Sequence, residues 1–508
     1  MARDPPLLAS STPTLRAATT VTIGHVQLRD VIICPRERGV VNYIQSKAIL
    51  EHDLLGPEQP PRTIAELPFL PNTLASLPVP GTDRTLLAAG GQDAEIHLSL
   101  LKPDSQREWS FNTQLQGSIN NSILLTSLSL TDSNESSVEP RMAISNNDRV
   151  VMFFDVPVRA RPTSITPSGV VRFNVPVNHS SISPDGRTLL SVGDSSKVFL
   201  HRLTGGAHVT ASPIATLTLP PTSNPFSSPA LVASFSTAFS ADGSKYAVAA
   251  QEGAVAVWDV RSTRPLKVFH TDKTRGVSRS GANDTTWLSE DPQEWSQHKT
   301  RGPGWSARAV KFGGRPGREL MLFTEHTSLV HVVDARTFET EEVICMPGFP
   351  APPPVPPPPA RQQPRRSPST TARIVRTLEE TFRIAAADDE VLVIPPLGDR
   401  SVEREVRRVL GYHGVPSRFR IEEEDEEMEE VRGRPPYFIE EPELEPEPPA
   451  PPPDMCEEEE DLDVERNLAG ACFDPTGSYV YVASDTGVAE WGVRGADKRW
   501  WVDGAWER

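Results

Sequence analysis

The chain has 508 residues, room for several ordinary domains or for one large repeat architecture with appendages. Apolar residues make up 37% and prolines number 51, about twice the usual share, which fits a folded part diluted by segments that bury little. The net charge of −17 is concentrated in residues 421–465, which hold 21 Asp and Glu against two Arg; the near-neutral remainder excludes general DNA or RNA binding, whose affinity comes from neutralising phosphates.

Residues 1–24 are expected to form a disordered arm, and "MARDPPLLASSTPTLRAATT" lacks the continuous apolar core of a signal peptide. One phrase then recurs along the chain. In His25–Leu54, Thr73–Leu101 and Ser122–Val156, a short apolar run is followed by a turn and an apolar run closing on small residues. A second polar turn and a third alternating run complete it. The phrase is sharper in Ser181–Leu203, "SISPDGRTLLSVGDSSKVFLHRL", and in Ala238–Val260, and it returns in Val310–Ala335 and Ala471–Val493. Two-residue alternation of β-branched and aromatic residues predicts strands, and the D-G and T-G pairs predict tight turns. In Ser183-Pro184-Asp185-Gly186 the proline presets φ for the turn, and the glycine supplies the positive φ that a residue with a Cβ resists. A fourth, outer strand is predicted after each copy, at Arg62–Phe69, Glu108–Leu115, Gly169–Val175, Pro213–Leu219, Pro265–His270, Glu341–Met346 and Lys498–Val502. That makes seven units of four strands, six within residues 25–346 and the seventh, with a C-terminal strand, in 467–508.

These residues resemble the WD-repeat β-propeller family. The resemblance rests on Ser183-Pro-Asp-Gly186, Ser240-Ala-Asp-Gly243 and Val257-Trp-Asp-Val260, and on acidic residues in the second turn of most copies: Asp93, Asp148, Asp194, Glu252 and Asp485. It covers nearly all of the chain outside two insertions. The Trp-Asp pair occurs in one copy only, and the family's Gly-His element only at Gly24-His25. More narrowly, "RGPGWSARAVKFG", "FTEHTSLVHVVDARTFETEE" and "RGADKRWW" look like a group of fungal WD-repeat proteins with plant relatives, which carries an uncharacterised domain across the sixth blade. The resemblance implies an all-β fold, a single seven-bladed propeller with long, largely disordered insertions, acting as a non-catalytic scaffold for other proteins.

Both insertions, Thr271–Gly304 and Pro347–Arg466, follow an outer strand and precede an inner one, so they are expected on the same face of the ring. The first carries Trp287 and Trp295, with Trp305 at its end. Exposed indole is costly, so these side chains either fold down onto blades five and six or form a patch for a partner. The second insertion (347–466) opens with a polyproline stretch in which Pro356, Pro359 and Arg361 have the P-x-x-P-x-R spacing read by aromatic grooves, although a low-complexity spacer has the same composition. A small ordered patch is expected near 380–412, ending in a short helix with Val402, Val406 and Leu410 on one stripe. The acidic run beyond it repels itself and is expected to keep the protein soluble or to cover a basic partner. Trp500, Trp501 and Trp506 are expected to seal the last blade.

Nothing in the chain asks for catalysis. There is no G-x-S-x-G, H-E-x-x-H or phosphate-binding loop, and His326 and His331, five apart on a strand, point to opposite faces. Cys34, Cys345, Cys456 and Cys472 form no C-x-x-C pair, so neither a disulfide framework nor a structural zinc is expected. No run approaches about 18 apolar residues, so no membrane span is expected. The reading is an intracellular soluble monomer, cytoplasmic or nuclear, with no cofactor, no catalytic residues, and no metal or nucleic-acid site. Arg261 follows the Trp258-Asp259 pair, as does the arginine with which, in the family resembled, substrate receptors of cullin–RING ubiquitin ligases grip their adaptor. Arg336, in "VVDAR", repeats the placement one blade on. The alternatives for this pair are therefore an adaptor-docking element and two solvated turn arginines.

Overall fold

In the computed structural model, the described residues are 6–56, 59–127, 140–206, 208–220, 233–273, 304–315, 317–349 and 466–495. They contain 28 strands and no α-helix, arranged as seven four-stranded antiparallel sheets. Blade one is β2 (Ile32–Ile33), β3 (Val40–Gln45), β4 (Ala48–Asp53) and β5 (Arg62–Glu66). Blade two is β6 (Pro71–Pro78), β7 (Thr85–Gly91), β8 (Glu95–Leu101) and β9 (Arg107–Gln114). Blade three runs from β10 (Asn120–Thr126) through β11 (Arg141–Asn146) and β12 (Val150–Asp155) to β13 (Thr166–Arg172). Blade four holds β14 (Val177–Ile182), β15 (Thr188–Gly193), β16 (Lys197–Thr204) and β17 (Thr210–Thr218). Blade five holds β18 (Ser234–Phe239), β19 (Lys245–Ala250), β20 (Ala254–Asp259) and β21 (Lys267–His270). Blade six holds β22 (Ala307–Arg315), β23 (Arg318–Glu325), β24 (Leu329–Asp334) and β25 (Glu341–Cys345). Blade seven is β26 (Leu468–Phe473), β27 (Tyr479–Ser484), β28 (Gly487–Gly492) and, from the other end of the chain, β1 (Leu15–Ala18).

That last strand corrects the sequence reading. Residues 15–18 were expected in a disordered arm and the outer strand of blade seven at 498–502, which lies outside the described residues. Instead Leu15 pairs with Glu490 and Ala18 with Gly487, while Leu7 and Leu8 are buried against blades six and seven. The physical reason is that β28 would otherwise present an unpaired edge at the seam of the ring. The N-terminal segment closes it non-locally, a pairing that strand periodicity does not reveal.

Most second and third strands are buried along nearly their whole length, and the clearest read as apolar runs, such as "TLLAAGG" in β7 and "YVYVAS" in β27. The outer strands alternate, as in β17. Every neighbouring pair of blades shares an apolar cluster. Val192 of blade four meets Val248 and Trp258 of blade five, Val257 of blade five meets Phe323 of blade six, and Leu322 of blade six meets Val482 and Trp491 of blade seven. Blade seven in turn packs on blade one through Tyr481 and Val41, and the ring is closed. The predicted turns are present: Gly186 has φ 73° and Gly243 φ 68°.

The inner strands share one irregularity. In β6, β10, β14, β18, β22 and β26 the pairing with the second strand skips one residue near the start: Asn72, Asn121, Asn178, Phe235, Arg308 and Ala469 respectively. Blade one enlarges the same bulge. Thr22 N–H donates to the Ile44 carbonyl, pairing resumes with Ile32 opposite Tyr43, and residues 23–31 leave the sheet between them.

Candidate functional site

In each blade the turn between the second and third strands lies at one end, together with the link to the next blade. The other turns lie at the opposite end, two in blades one to six and one in blade seven, whose outer strand comes from the N-terminal segment. Both long insertions are rooted at the first of these ends. Thr271 N–H donates to the Gly253 carbonyl in the second turn of blade five, and Thr327 N–H in the second turn of blade six to Gly304. Met346 N–H donates to the Ser328 carbonyl, and Ser328 N–H to Arg466. The roots of the two insertions thus share a face, as the connectivity argument required.

The central opening on that face is filled by the excursion of residues 23–31. The Gly24 carbonyl accepts from Gln92 of blade two, and a Cβ at Gly24 would meet the Pro71 carbonyl at 2.5 Å. Leu28 packs on Phe235 and Ala233 of blade five. Asp30 lies beside Thr73 of blade two and pairs with Lys311 of blade six at 2.9 Å, and Val31 N–H reaches Ala469 of blade seven. The excursion is also bonded to itself: Arg29 donates to the carbonyls of His25, Val26 and Leu28, and His25 Nδ1 accepts from the Gln27 and Leu28 amides. Burial, with Arg29 and Arg308 nearby, lowers the His25 pKa to about 4. Gly24-His25, matched in sequence to a repeat element, therefore belongs to this plug. Past it the channel continues as a cavity of about 390 Å³ lined by all seven inner strands, Lys311, His179, Thr237 and Cys472 among them.

Of the tryptophans singled out in the first insertion, Trp305 is half-buried, with Lys273 Nζ 5.1 Å from its ring centre and its edge against Gly253. Trp287 and Trp295 lie outside the described residues, as do Pro356, Pro359, Arg361 and the patch near 380–412. Trp258 is 0% exposed and stacked on Tyr246, ring centres 5.5 Å apart, so it holds blade five together and presents no surface to a partner. Trp491 fills the corresponding place in β28, donating from Nε1 to the Ser11 carbonyl. "AEWGV" has the tryptophan without the aspartate, which is why pattern matching passed over it.

Arg261 and Arg336 occupy the third turns of adjacent blades, on the opposite face. The Arg261 side chain is 85% exposed and folds back onto Asp259 in two parallel bonds of 2.9 and 2.7 Å. Those bonds hold the Asp259 carboxyl well below the usual range. Val260 (45% exposed) and Leu266 (55%) flank it. Arg336 is exposed, its backbone N–H capped by Asp334.

The two histidines of blade six take separate jobs. His326 accepts from Arg308 at 3.0 Å, while His331 bonds Glu341 at 2.7 Å and Glu325 at 3.1 Å and stacks on Phe323. Among the described residues no group of three His, Cys, Asp or Glu is placed to hold a metal, and no helix is long and apolar enough to cross a membrane.

Two comparisons bear on this geometry. Residues 306–345 match the model of an uncharacterised protein domain, DUF2415, a span that coincides with blade six. The uncharacterized protein C4G3.03 of Schizosaccharomyces pombe is 27% identical over 209 residues, which cover 40% of this chain and 46% of that protein. The match therefore spans less than half of either chain.

Proposed function

We propose that the protein is a non-catalytic platform on which other proteins assemble, with the insertion-bearing face as the principal contact surface. The reading is carried by the common rooting of both insertions on the face whose central opening the chain fills with its own residues 23–31. The described ends of two sequence-distant insertions thus share one rim with Trp305 and Lys273. Affinity capture with the full chain, with Trp305→Ala and with a chain lacking residues 350–465 tests it. Partners retained by the first and lost from one of the others are expected; identical partner sets from all three would overturn it.

The opposite face supports a second reading, a substrate receptor docking on a ubiquitin-ligase adaptor through Arg261 and Arg336. The observation favouring it is the exposed apolar pair Val260 and Leu266 beside a pre-shaped arginine, a combination enriched at interface anchors. Co-purification with Arg261→Ala and Arg336→Ala decides it, since a wild-type chain that never retains an adaptor removes the idea.

A further inference from the structure

Arg308 is the bulged residue of β22, beneath the excursion of residues 23–31, and the sequence reading did not single it out. It is 2% exposed. Its Nε donates to His326 Nδ1, and its guanidinium carbon lies 4.5 Å from the centre of the Phe235 ring. Among the described residues Nη1 and Nη2 have no hydrogen-bond partner. A guanidinium stays charged in proteins, and a buried one is ordinarily matched by a carboxylate or by several carbonyls. Here the neighbouring charge is a second cation, Arg29, which together with burial works against the charge on Arg308.

Across the mouth, the bulged residue of β6 repeats the situation. Asn72 is 1% exposed, its Nδ2 and Oδ1 are both without partners among the described residues, and it lies against Gly24. Two buried side chains, one a charged fork and one an amide, thus border the excursion with donors that the described residues leave unmet. The excursion is bonded to itself through Arg29 and His25, and it is tied to the ring at Gly24, Asp30 and Val31, leaving residues 25–29 between these anchors packed on Phe235 through Leu28.

We propose that the closed mouth of the channel is a binding site for a small oxyanion, with the Arg308 fork taking two oxygens of a carboxylate or phosphate group and residues 25–29, between the anchors at Gly24 and Asp30, serving as its lid. The planar fork suits both groups, and its carbon lies over the Phe235 ring.

Thermal unfolding and titration calorimetry of the full chain in inorganic phosphate, in citrate and in potassium chloride at matched ionic strength test this. Phosphate, citrate or both should raise Tm by about 3 °C or more over chloride, and which of them does so names the group. Arg308→Met should raise Tm in chloride, since it removes a buried uncompensated charge, and should abolish the anion-specific shift. Arg308→Lys, which keeps the charge without the fork, should weaken calorimetric binding at least about fivefold. Equal Tm in all three salts with no calorimetric binding, or a full anion response in Arg308→Met, would overturn the proposal. If Arg308→Met does not fold, the wild-type calorimetry and the lysine variant still decide.

Discussion

Glu490 shows how much of this ring depends on single buried groups. It is 0% exposed in β28, and three parts of the chain meet on it. Arg38 from blade one binds it at 2.9 Å, Tyr481 Oη at 2.6 Å and Thr14 Oγ1, from the N-terminal segment, at 2.8 Å. Arg38 in turn lies 3.6 Å from the Tyr479 ring centre. Glu490→Ala would leave these donors facing an apolar gap, and a loss of roughly 3 kcal/mol is expected by urea unfolding, at the low end for a broken buried pair because Arg38 stays partly solvated. Buried histidines set the pH response. Burial lowers the pKa of His25, His97 and His179 to about 4, so below pH 6.5 the unfolded chain takes protons that the folded ring refuses. Stability should therefore fall as pH drops from 6.5 toward 4, by about 2 kcal/mol per histidine at pH 5. His331 runs the other way. Burial opposes its charge, but the bonds to Glu325 and Glu341 prevail and raise its pKa. Its contribution is complete below pH 6.5 and is lost as pH rises through the raised value. Urea midpoints at pH 5 and 7 for wild type, His97→Asn and His331→Gln separate the two signs: the first variant should lose part of the acid sensitivity, and the second should steepen it.

Among the elements, β1 and the 23–31 excursion were both hidden in the sequence, for the same reason. "LRAA" has no signal that distinguishes an arm from an edge strand, and its identity comes from β28, hundreds of residues away. A chain lacking residues 1–19 should lose at least about 4 kcal/mol, since Leu7 and Leu8 alone each bury a full side chain. It should also aggregate through the bared β28 edge, visible as light scattering during unfolding. A truncated chain with unchanged Tm would show that the seam holds without the latch. The excursion was misread because "GHVQLRD" resembles a repeat element locally, while its place is settled by Phe235, Thr73 and Ala469, residues of three other blades. By contrast, the Ser183–Gly186 and Ser240–Gly243 turns were legible in full. A proline or alanine followed by Asp-Gly dictates the backbone on its own, and Asp185 and Asp242 each accept the hydroxyl of the preceding serine as expected of such turns.

For the molecule as a whole, both ends of the long second insertion converge on Ser328. Met346 donates to its carbonyl, its N–H donates to Arg466, and Arg466 N–H returns to its Oγ. The ring therefore does not need the intervening residues to hold blades six and seven in register. Replacing residues 350–465 by a short Gly/Ser linker should leave Tm within about 3 °C, because shortening a loop between fixed ends changes closure entropy only weakly. A large drop would show that the insertion is part of the core. What the sequence determined by itself was local: strand period, turn chemistry and the apolar middle strands, hence seven sheets and the order in which they come. Only the tertiary structure decided which end of the chain completes the seventh sheet, what fills the central opening, and which charges are buried without a partner. Those depend on contacts between residues far apart in the chain, and a pattern of neighbours carries no record of them.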